Sequence, residues 1–128
     1  MRDIYGALLQ RSDVDDVVLA PKRAEFRIPS QVPQVKLLAF QGSLGTWPHF
    51  PTYRVDEAMA RDRAVGDFYT KRTGVFTERD LATLRDWHVR FLVLDKKDAR
   101  YGEAKALPWL VLVVDGSRAL FEVTPGVL

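Results

Sequence analysis

The stretch Val89-Arg90-Phe91-Leu92-Val93-Leu94-Asp95 decides the fold. Between Arg90 near its entry and Asp95 at its exit, it is a short unbroken apolar run with β-branched and aromatic residues. That pattern belongs to a strand covered on both faces, as in a parallel or mixed sheet with helices on either side. Its flanks agree. Upstream, Thr77-Glu78-Arg79-Asp80 has the form of a capping box with Asp in place of Glu. It opens a helix that runs to about Trp87, with Leu81, Leu84 and Trp87 turned inward. Downstream, residues 96–105 are polar and read as a mobile connection. Pro108 precedes a strand at Trp109–Val114, Asp115-Gly116 makes a hairpin turn, and Arg118–Val123 returns as the last strand.

Toward the N-terminus, Asp56 is a good N-cap for a helix over 57–69 that carries Ala58, Met59, Val65, Phe68 and Tyr69 on one side. Val35–Phe40 reads as a strand buried on both faces. Ala24–Ile28 alternates enough to be a strand, a hairpin partner for Val17-Val18-Leu19-Ala20, which Pro21 stops. Residues 3–11 carry Ile4, Tyr5, Leu8 and Leu9 at helical spacing. A strand, a long helical crossover and another strand imply a parallel pair, with antiparallel strands added at one edge. The expected fold is α/β. Residues 1–128 form a single domain, a mixed sheet with flanking helices and a C-terminal β-hairpin.

Composition narrows the chemistry. The 128 residues are 47 % hydrophobic and 28 % charged, the profile of an ordinary globular domain and not of a disordered chain or a fibre. Cysteine is absent, which excludes disulfides, thiolate metal sites and a cysteine nucleophile. Two histidines, His49 and His88, are too few for a histidine metal cluster. Nineteen basic against seventeen acidic residues leave a net charge of +2, which argues against a nucleic-acid binder. No apolar run reaches the roughly eighteen residues of a membrane-crossing helix. The N-terminus lacks the pattern of a secretory signal.

The motifs carry little catalysis. Gly42-Ser43-Leu44-Gly45-Thr46 follows a strand, where phosphate loops occur, but no Gly-Lys-Ser/Thr is present and prolines follow at 48 and 51. It reads as a turn-rich loop. Asp13, Asp15 and Asp16 begin like a calcium loop but lack its glycine and distal glutamate. Asp95 and Asp98 lie just past the carboxyl end of the best strand, where α/β sheets place ligands. His88, at a helix C-terminus, reads as structural. No nucleophile–base pair emerges, so no catalytic residue, metal or cofactor is assigned. The candidate ligand-binding residues are Trp47, His49, Tyr53 and Arg54, in and beside the Gln41–Tyr53 loop. Their rings, hydrogen-bond groups and guanidinium suit a sugar or a phosphate. Two readings stay open: Trp47 is a stacking platform, or it caps the core.

Taken in order, Asp16-Val17-Val18-Leu19-Ala20, Ile28-Pro29-Ser30, Gly42 and Gly45-Thr46, Phe68-Tyr69, Trp87-His88-Val89-Arg90-Phe91-Leu92-Val93-Leu94-Asp95 and Leu120-Phe121-Glu122-Val123 form a familiar series. From about Asp16 to Val123 the chain resembles the soluble C-terminal domain of bacterial multi-spanning membrane glycosyltransferases of the GT-C type and related membrane proteins. That resemblance implies an excised, non-catalytic domain on the extracytoplasmic face of a membrane. Its partners would be the transmembrane part of a parent protein and a glycan or polyprenyl-phosphate head group, with no nucleic acid. The parent's catalytic acid would belong to the transmembrane part. Trp47-Pro48-His49 departs from the His-x-x-Glu-Thr-like segment frequent in that family's loop. The alternative is a free-standing small α/β domain, cytoplasmic, that binds a ligand or a protein.

Overall fold

The computed structural model describes residues 2–14, 16–21, 36–37, 55–70 and 74–124. Their elements are α1 (Arg2–Arg11), β1 (Val17–Leu19), β2 (Lys36–Leu37), α2 (Val55–Thr70), α3 (Glu78–Asp86), β3 (Val89–Asp95), α4 (Tyr101–Ala106), β4 (Leu110–Asp115) and β5 (Arg118–Val123). The strands form one sheet in the order β2-β1-β3-β5-β4. β1 is parallel to both β2 and β3, while β5 is antiparallel to β3 and β4. The fold is therefore α/β around a mixed sheet with a C-terminal hairpin.

β3 lies at the centre, and its unbroken apolar run has the predicted reason. Phe91, Leu92, Val93 and Leu94 have no exposed surface. Leu92 and Leu94 enter one core with Leu19, Val65, Phe68, Leu84, Ala104 and Phe121, beneath α2, α3 and α4. Phe91 and Val93 enter a second core with Ile4, Leu8, Val18 and Leu120, beneath α1. Helices thus cover both faces, and each of these four β3 side chains meets an apolar partner whichever way the pleat turns it. α1 buries Ile4 and Leu8, one turn apart, whereas Leu9 is half exposed.

α3 starts as its sequence indicates. Thr77 Oγ1 accepts the Asp80 backbone N–H at 3.2 Å, and an Asp80 carboxylate oxygen accepts the Thr77 N–H at 3.1 Å. The helix ends on His88, whose φ of 53° is the left-handed conformation usual for glycine after a helix. Its N–H donates to the Arg85 carbonyl at 3.2 Å, and the turn delivers the chain directly into β3.

Several local expectations need correction. α2 already includes Val55, so Asp56 lies inside the helix and is not its cap. Met59 is largely exposed, while Val65 and Phe68 are buried. Residues 96–105 are not a loose connection, because they hold a tight turn, the buried Arg100 and most of α4. The hairpin turn falls where expected, but its loop is Gly116-Ser117, and neither Asp115 nor Gly116 uses a left-handed φ. Residues 24–28, the expected hairpin partner of β1, lie outside the described residues. Val17 and Val18 pair with β2 on one side and β3 on the other. Of the strand expected over 35–40, Lys36–Leu37 is described as β2; the remainder lies outside the described residues.

Candidate functional site

Because β1, β2 and β3 run parallel, the chain leaves all three at the same edge of the sheet. From β1 it passes to β2 on one side, and from β3 it passes toward β4 and β5 on the other. The carboxyl ends of β1 and β3 are therefore the place where strand order reverses, the usual ligand position of an open α/β sheet. The turn between β4 and β5 comes to this edge too, since Asp95 sits opposite Arg118.

Side chains from three helices converge here. The Tyr69 hydroxyl, from the end of α2, lies 3.0 Å from the Leu19 carbonyl and 2.7 Å from the Val93 carbonyl. It can donate its one hydrogen to either, and so ties β1 to β3. Burial pushes its phenol well above the usual tyrosine range; nearby Arg100 partly offsets this and Asp98 adds to it.

Among the described residues, Arg100 is the largest side chain with no exposed surface. The Asp98 carboxylate grips it bidentately, accepting from Nε at 3.1 Å and from Nη2 at 2.9 Å, and also accepts the Arg100 backbone N–H at 2.9 Å. Nη1 faces the Asp80 carboxylate at 3.3 Å. The guanidinium lies 4.2 Å from the Phe68 ring centre and 5.7 Å from that of Phe76. The Phe76 N–H in turn donates to Glu103 of α4 at 3.3 Å. Burial alone would make Arg100 easier to deprotonate. The hydrogen bonds and charge of Asp98, with the charge of Asp80, outweigh that and hold it above the ordinary arginine value. One cation thus joins α2, α3, and the turn into α4.

Nearer solvent, the Tyr101 hydroxyl donates to Asp115, Lys96 reaches the same carboxylate at 3.4 Å, and the Lys105 ammonium stands 5.3 Å from the Tyr101 ring centre. The Tyr101 hydrogen bond, with help from Lys96 and Lys105, holds the Asp115 carboxyl below its usual range against the opposing effect of desolvation. The same hydrogen bond raises the Tyr101 phenol.

At the opposite edge, the register of β1 on β3 passes from Val17↔Val89 to Val18↔Phe91, which leaves Arg90 as the extra residue of a bulge. Arg90 donates to the Val123 carbonyl at 3.0 Å and pairs with Glu122 at 2.8 Å; Arg11, at the end of α1, meets the other Glu122 oxygen at 3.2 Å. This clamp fastens α1 to the sheet.

Trp47, His49, Tyr53 and Arg54 lie outside the described residues. His88 is exposed and serves the turn before β3. Asp13 and Asp16 close a short turn, the Asp13 N–H donating to the Asp16 carboxylate at 2.7 Å. Of the two acids at the favoured edge, Asp98 is held by Arg100, and Asp95 accepts the Lys97 N–H at 2.9 Å. The residues that organise this edge, Tyr69 and Arg100, were not singled out by sequence. The available signal was an Asp-x-Arg turn at Asp98–Arg100, a few residues past a largely apolar strand. Among the described residues, no group of three His, Cys, Asp or Glu is placed to hold a metal ion. Nor is any helix long and apolar enough to cross a membrane. No family model, curated protein or solved structure matches the chain.

Proposed function

We propose that this chain is a binding and positioning domain without chemistry of its own, belonging to a membrane glycosyltransferase-like protein of the GT-C type and standing on the extracytoplasmic face. The observation that carries the first half is the state of the strand-reversal edge. Here Asp98 and Arg100 hold one another and Tyr69 is engaged with main-chain carbonyls. These groups build the edge and leave contact with a ligand to whatever joins it. The family half rests on the ordered series of segments from Asp16 to Val123. In this reading the Gln41–Tyr53 loop, with Arg54 beside it in sequence, offers Trp47, His49, Tyr53 and Arg54 to a glycan or to the phosphate of a polyprenyl carrier.

The test is a titration of the purified chain with a polyprenyl phosphate in detergent micelles, followed by tryptophan fluorescence, beside turnover assays on sugar-nucleotide, ester and phosphate substrates. Saturable binding that Trp47→Ala and Arg54→Ala weaken at least tenfold, with unchanged melting temperature and no turnover, is the expected result. Turnover abolished by one point substitution overturns the non-catalytic reading. Binding untouched by both substitutions removes the loop from it. A parent reading frame without membrane-spanning segments overturns the family half.

A further inference from the structure

We draw no further inference here: the strongest candidate, the outer edge of β4 at Leu110–Asp115 with Val111 exposed beside it, carries nothing because nothing in the structure shows what covers it.

Discussion

Asp98→Ala isolates the role of the buried cation. The Asp98 carboxylate takes three hydrogen bonds from Arg100, two of them from the guanidinium at 2.9 and 3.1 Å. Once it is removed, Arg100 keeps Asp80 at 3.3 Å and the two phenylalanine faces, but no bidentate partner. Arginine cannot shed its charge at any ordinary pH, so the site must hold an under-compensated cation or open to water. Breaking a buried pair in this way costs about 3–5 kcal/mol. Set against the roughly 5–15 kcal/mol that holds a typical domain folded, that is a large share. At about 3–5 °C per kcal/mol for a chain of this length, the melting temperature falls by about 9–25 °C. The assay is urea unfolding followed by far-UV circular dichroism and tryptophan fluorescence, with Asp86→Ala as control. Asp86 meets Arg85 in a surface pair whose side chains are 57 % and 65 % exposed, and removing it moves stability by less than about 0.5 kcal/mol. The double variant Arg100→Met/Asp98→Ala removes the stranded charge along with its partner and is more stable than Asp98→Ala alone. Asp98→Ala within about 1 kcal/mol of the parent, with no recovery in the double variant, would refute the reasoning.

Phe91→Ala empties a fully buried site at the sheet centre and lowers unfolding stability by about 3–5 kcal/mol; a melting loss of only a degree or two contradicts that packing. His88→Gly relieves a left-handed backbone and raises stability by up to about 1 kcal/mol, and a loss on urea unfolding refutes this account of the turn. Tyr69 and Tyr101 both have raised phenol values, so the folded state favours their neutral forms. Their contribution to stability is complete below the ordinary tyrosine value and is lost as pH rises through the raised ones. Ultraviolet titration of the folded chain shows tyrosines ionising later than in denaturant, and Tyr69→Phe removes the most delayed of them. Coincident folded and unfolded titrations would contradict the placement of that hydroxyl.

The parts of the fold legible from sequence share one property: their determinants are local. β3 announces itself by an unbroken apolar run, α3 by Thr77 and Asp80 three residues apart, and the hairpin by Gly116 between two apolar segments. The helical crossover before β3 implied a parallel strand pair but did not name the partner, and it is β1, standing between β2 and β3, that supplies it. What escaped depends on partners distant in sequence. Arg100 looks like one more surface charge until α2 supplies Phe68 and α3 supplies Asp80, and only that assembly makes its burial affordable. Tyr69 belonged to the apolar side of its helix, and nothing local shows that its hydroxyl reaches two strands. Asp98 was noted only for its place after β3, and nothing local shows that its carboxylate holds the arginine two residues on.

The bulged, parallel seam between β1 and β3 bears on how the chain finds its structure. Joining Val17 to Val89 closes a far longer loop than joining β3 to β5 or β4 to β5, and the entropic cost of closure rises with loop length. The three C-terminal strands, with α3 and α4, therefore have the contacts to assemble first, and β1 docks against an edge already in place. A three-residue strand cannot nucleate a sheet; it can only join one. Substitutions in β3 and β5 should thus slow folding, whereas substitutions in β1 and at Arg11 should mainly hasten unfolding, a polarity that stopped-flow chevrons read directly.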